Sequence, residues 1–116
     1  MPNQPETKLQ QDCFTWIWNQ YPELRKTMWH VQNEGKRSKY EQSIIKSLGV
    51  VPGVADLNWL YNGVFYGIEL KTPTGSQTKS QREWERAITE QGGIYVLIRS
   101  LDEFKGFVWG VLGDGN

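Results

Sequence analysis

With 116 residues, 38% of them hydrophobic and 13% aromatic, the chain holds enough apolar material for one core and too little for two, so a single domain over 1–116 is expected. Thirteen basic residues balance thirteen acidic ones, which excludes whole-molecule attraction to nucleic acid or an anionic membrane and requires any polyanion site to be a local patch. The lone cysteine, Cys13, cannot form an internal disulfide and suits a buried apolar position; no stretch reaches membrane-spanning length and the polar amino terminus lacks a secretory pattern, so a cytoplasmic protein is expected.

Leu9, Cys13, Trp16, Ile17 and Tyr21 recur at helical spacing, and Pro5 with Glu6 suits a first turn, which predicts a helix over 5–20 closed by Pro22. Thr27 to Val31 reads as a short strand, followed by a polar loop at Asn33, Glu34 and Gly35. Ser38 and Glu41 form a capping box for a second helix with Tyr40, Ile44, Ile45 and Leu48 as its apolar stripe, ended by Gly49. Two β-rich runs follow, Asp56 to Tyr61 and Val64 to Lys71, divided by Asn62-Gly63, the strongest local signal for a hairpin. After a turn-rich loop over 72–79, Ser80 and Glu83 read as a capping box for a helix carrying Trp84, Ala87 and Ile88, stopped by Gly92 and Gly93. Ile94 to Ile98 is a continuous apolar run of the kind expected in a strand covered on both faces, and a last helix from Ser100 carries Phe104, Phe107, Val108 and Val111. The order αβαββαβα predicts an α/β fold, a central mixed sheet flanked by helices.

The hairpin concentrates the chemistry. With Asn62 and Gly63 as the turn, Tyr61 pairs with Val64 and the register places Asp56 opposite Glu69. Leu57, Trp59, Tyr61, Val64, Tyr66, Ile68 and Leu70 share one face, and Asp56, Asn58, Leu60, Phe65, Gly67, Glu69 and Lys71 the other. Like charges on directly opposed residues, with Cβ atoms about 5 Å apart, repel. A divalent cation held by both carboxylates relieves that repulsion, and oxygen ligands with open water positions are what magnesium prefers. Lys71, two residues beyond Glu69 on the same face, is placed to hold a phosphate or orient a water. An ordinary surface ion pair of Glu69 with Lys71 is the plainer alternative.

The runs Gly53-Val54-Ala55-Asp56-Leu57, Ile68-Glu69-Leu70-Lys71 and Ser80-Gln81 resemble the VRR-Nuc family of the PD-(D/E)xK nuclease superfamily, with the similarity extending from about Glu6 to Leu112. Ala55 stands where the superfamily name places a proline that is not a ligand. The resemblance implies a restriction-endonuclease-like core and hydrolysis of DNA phosphodiesters with Mg2+, for which Mn2+ substitutes. It assigns metal binding to Asp56, Glu69 and the backbone carbonyl of Leu70, and catalysis to Lys71 and Gln81 with these two carboxylates. Glu6, on the first helix, is a candidate further ligand, or else an acidic residue favouring the positive end of its helix. Small stand-alone members of the family look like phage-type enzymes that cleave branched DNA, including four-way (Holliday) junctions, as homodimers.

The sign of charge is organised along the chain: residues 25–46 carry six Lys or Arg against two Glu, and residues 71–86 carry four against two. Lys36, Arg37, Lys39, Lys79 and Arg82 are therefore the candidate DNA contacts, with plain helix solvation the alternative for Lys36 and Lys39. His30, the single histidine, reads as structural. A non-catalytic DNA-binding module of the same fold is the rival function. An enzyme of nucleotide metabolism is disfavoured, because no glycine-rich phosphate loop is present.

Overall fold

The computed structural model describes residues 4–32 and 38–113. The elements run α1 (Gln4–Gln20), a 3-10 turn (Pro22–Leu24), β1 (Met28–Trp29), α2 (Lys39–Ser47), β2 (Leu57–Tyr61), β3 (Val64–Leu70), α3 (Lys79–Glu90), β4 (Ile94–Ile98) and α4 (Leu101–Leu112). This is the αβαββαβα order expected from the sequence. The four strands form one mixed sheet in the order β1-β2-β3-β4, antiparallel up to β3 and parallel between β3 and β4. The parallel pair is joined through α3, as a crossover between parallel neighbours requires. Among the described residues no helix is long and apolar enough to cross a membrane.

The hairpin folds as its turn dictates. Asn62 and Gly63 both take positive φ, 52° and 80°, the geometry of a tight primed turn whose twist matches the flanking strands. Tyr61 accordingly pairs with Val64, and the ladder runs through Trp59 with Tyr66 to Leu57 with Ile68. Leu57, Trp59, Tyr66, Ile68 and Leu70 are buried against Cys13 and Ile17 of α1 and Phe104 and Val108 of α4. The Phe107 ring of α4 stands edge-on to Trp59 and Tyr66. On the opposite face α3 packs through Trp84, which meets Phe65 edge-on. Trp84 lies so close to Gly67 that a Cβ there would sit 2.8 Å from its ring. The sheet is thus covered by α1 and α4 on one side and by α3 on the other.

Three expectations are corrected. The capping box of α3 is Thr78 with Gln81, each side chain bonded to the other's backbone N–H, and Ser80 falls inside the helix. Two S/T-x-x-E/Q patterns overlap here, and the earlier one begins the helix. Second, β4 is an edge strand rather than one covered on both faces: only Ile98 is fully buried and Ile94 is 44% exposed. Its apolar run reflects parallel pairing with β3 more than enclosure. Third, the stripe of α2 does not enter the core. No residue of α2 is buried, and Tyr40 and Ile44, together with Leu48 just beyond the helix, are exposed.

Candidate active site

Asp56 lies one residue before β2, just beyond the last ladder pair. Its Oδ2 takes the position of the next ladder acceptor by receiving the Leu70 N–H at 2.8 Å. Its backbone carbonyl accepts from His30 Nδ1 at 2.6 Å, which ties it to the chain beyond β1. Successive strand residues turn their polar groups to alternate edges, so the Leu70 carbonyl leaves β3 on the same edge as its N–H, toward Asp56. The expected opposition of Asp56 and Glu69 falls one step beyond the last ladder pair, Leu57 with Ile68, and sets the two carboxyl groups near enough for the charge of one to act on the other.

Glu69 is the buried one of the two. Only 1% exposed, its carboxyl is pushed up to about 8 by burial, then by the negative charge of Asp56, with the Lys71 ammonium pulling the other way and Glu6 adding a last small push. Burial also raises Asp56, opposed first by the Leu70 N–H and then by Glu69, His30 and Lys71. Glu69 Oε2 accepts from Gln81 Nε2 at 2.8 Å and lies 3.7 Å from Lys71 Nζ. Its other oxygen, Oε1, is buried without a hydrogen-bond partner. A buried carboxylate oxygen left bare costs free energy unless something positive reaches it.

Lys71 follows β3 and is held by its own N–H, which donates to the Ile98 carbonyl at 3.0 Å. A lysine only 7% exposed is uncommon and here has its partner in Glu69. The loop after it is tied by Arg99, whose Nη1 donates to the carbonyls of Thr72 and Gly75 at 2.7 Å and of Pro73 at 3.3 Å. Gly53, with φ +83°, brings the loop before Asp56 against the start of α3: a Cβ there would lie 2.2 Å from the Ser80 carbonyl oxygen. That contact seats Gln81 beside Glu69.

The structure therefore brings together Asp56, Glu69, the Leu70 backbone, Lys71 and Gln81. Glu6 sits half-buried in the first turn of α1 and reaches Glu69 only through its charge. Among the described residues no three His, Cys, Asp or Glu side chains gather as metal ligands. Lys79 and Arg82 are exposed in the first turn of α3 beside Gln81; Lys79 Nζ lies 3.9 Å from Glu83, and Arg82 donates to the Gln77 carbonyl. Lys39 is exposed at the start of α2, while Lys36 and Arg37 lie outside the described residues. His30, read as structural, anchors Asp56, but neither that partner nor the role of Arg99 was singled out from the sequence. Each acts across 24 or more residues, which no local spacing signals.

The buried Glu69 carboxyl with its bare oxygen, the half-buried Asp56 carboxyl and the Leu70 carbonyl on the same edge form an all-oxygen donor set. It fits a hard divalent cation.

No family model matches the chain, and no curated protein does. Among solved structures, one described as a VRR_NUC domain protein aligns with a TM-score of 0.72, covering 98% of this chain and 89% of its own at 20% identity. Another, described as a VRR_NUC domain, aligns with a TM-score of 0.58 over 90% of this chain and 94% of its own at 14% identity. These likenesses establish the fold: the chain has the restriction-endonuclease-like α/β architecture of VRR_NUC structures.

Proposed function

We propose that the chain is a VRR-Nuc-type endonuclease that hydrolyses DNA phosphodiester bonds with magnesium, manganese being able to substitute. The observation that carries this reading is the carboxyl pair of Asp56 and Glu69, with Glu69 Oε1 bare and Lys71 Nζ 3.7 Å from the Glu69 carboxylate. In this reading Asp56, Glu69 and the Leu70 carbonyl hold the cation, which supplies positive charge for the phosphoryl group and eases ionisation of the attacking water. Lys71 holds the scissile phosphate and carries positive charge into the transition state. Gln81 keeps Glu69 in one orientation, and the Leu70 N–H with His30 does the same for Asp56. Lys79 and Arg82, with Lys36, Arg37 and Lys39, supply phosphate contacts along the bound strand.

The finer reading is structure-selective: branched DNA, including four-way junctions, is cut by a homodimer. The exposed apolar residues Tyr40, Ile44 and Leu48, 75%, 42% and 76% accessible, support pairing of two copies through the α2 face. Against the non-catalytic rival stands the burial of a carboxyl pair and a lysine in one place, which is costly for a module that needs only surface phosphate contacts.

Incubation with linear, flapped and four-way DNA, with magnesium and with chelator, tests both levels. Magnesium-dependent cutting that favours the four-way form, by a dimer in light scattering, is expected. Absence of cutting on every form removes the nuclease reading, and equal cutting by a monomer removes the finer one.

A further inference from the structure

Between α1 and the β1–β2 edge lies an open cleft of about 470 Å³, within the size range of small-ligand sites. Its walls include Gln10, Gln11 and Phe14 of α1, His30 and Gln32 beyond β1, and Leu57 of β2. The cleft adjoins the carboxyl pair through two of these residues. Leu57 follows Asp56 directly, and His30 bonds the Asp56 carbonyl.

Its chemistry differs from that of the site beside it. Among the described residues that line it there is no Lys, Arg, Asp or Glu, so these residues offer neither a counter-charge for phosphate nor carboxylate ligands for a cation. It presents three carboxamides, each with donors and an acceptor on one planar group, beside the apolar ring of Phe14. A carbonyl oxygen only accepts, so His30 Nδ1 carries the proton toward Asp56 and Nε2 is the ring's second polar atom. Planar amides that read donor and acceptor edges, beside an aromatic ring, match an unstacked nucleobase.

We infer that this cleft is a base-binding subsite, which receives an unpaired or extruded nucleobase next to the scissile phosphate that Lys71 holds in the proposed reading. The inference deepens the nuclease reading and rests on it for the identity of the polymer. It also gives branched DNA an advantage, because unpaired bases at a branch enter without the cost of unstacking a duplex.

Free deoxynucleosides test the subsite without any cleavage. In a nuclear magnetic resonance titration of the full chain with each deoxynucleoside, the side-chain amide signals of Gln10, Gln11 and Gln32 are expected to shift saturably. The base-free control 2-deoxyribose 5-phosphate should leave them unmoved. The double variant Gln11→Ala with Gln32→Ala, both exposed, should weaken nucleoside binding roughly tenfold, the scale of two lost hydrogen bonds, with an unchanged melting temperature. Unmoved amides at saturating solubility of all four nucleosides, or equal shifts with the base-free sugar phosphate, overturn the inference. Shifts in a protein that cuts no DNA uphold the subsite and overturn the nuclease reading. Cutting without shifts does the reverse.

Discussion

Gln81 and Glu69 are joined by a 2.8 Å hydrogen bond whose direction is set from outside the site. Gln81 Oε1 accepts the Thr78 N–H at 2.8 Å as half of the capping box of α3, so Nε2 is the end left to face Glu69. The cap of a helix thereby orients the carboxylate proposed to hold the cation. Gln81→Glu keeps the cap, since glutamate is equally suited to that position, but sets a second carboxylate against Glu69 Oε2. It should melt within a few degrees of wild type near pH 5 and lose magnesium affinity and cleavage about 10- to 100-fold, the usual cost of disturbing a group that orients a ligand. Isothermal titration with magnesium and initial cleavage rates check this. Wild-type magnesium affinity in Gln81→Glu would show that the contact is idle.

The raised Glu69 carboxyl predicts a pH dependence of the metal-free protein. Burial and the Asp56 charge raise Glu69 from 4.5 in the unfolded chain to about 8 in the fold, so between those values the native state binds more protons than the unfolded one. Stability from this group is therefore fully present below about 4.5 and declines as pH rises toward 8. Glu69→Gln mimics the protonated form and should flatten that decline. Urea titrations at a series of pH values in chelator measure it, and a wild-type midpoint that rises from pH 5 to pH 8 would contradict the assignment.

Magnesium should reverse the ranking of the charged and amide forms. Without metal, Asp56→Asn and Glu69→Gln should cost little stability, since each removes a repulsion across the hairpin. With metal, only the wild type gains, by about 2.7 kcal/mol at a magnesium concentration 100 times its Kd. Equal melting shifts in all three proteins would place the cation elsewhere.

Arg99 ties three carbonyls of the loop that follows Lys71. Arg99→Ala should cost about 2 kcal/mol of stability, the scale of a lost charged donor at a half-buried position. Cleavage should fall by up to about 10²-fold through displacement of Lys71, with DNA affinity nearly intact. Arg99→Lys, which keeps the charge but not the planar fork, should recover only part of either loss. Denaturation curves and single-turnover rates check both, and unchanged rates in Arg99→Ala would detach the loop from the site.

Most of the hairpin was legible because its cause is local: Asn62-Gly63 fixes the turn, the turn fixes the register, and the register brings Asp56 to Glu69. The capping box of Ser38 with Glu41 was legible for the same reason. Where two local signals overlapped, as at Thr78 and Ser80, spacing alone did not choose between them. The exposure of Ile94 depends on β4 lying at the sheet edge, and the bonds from His30 and Arg99 join segments 24 to 27 residues apart. These follow from the packing of α3 and α4 on the sheet, which periodicity in one element does not encode.

The central claim is that Asp56, Glu69 and Lys71 form one cation-dependent cleavage centre. Its most direct measurement is the single-turnover cleavage rate of four-way DNA by wild type and Lys71→Ala, in magnesium and in chelator, with DNA affinity measured alongside. The predicted result is cleavage by wild type in magnesium alone and a loss of at least about 10²- to 10³-fold in Lys71→Ala, with affinity changed less than about tenfold because binding is spread over many phosphates. Full activity in chelator, or an unchanged rate in Lys71→Ala, would contradict it.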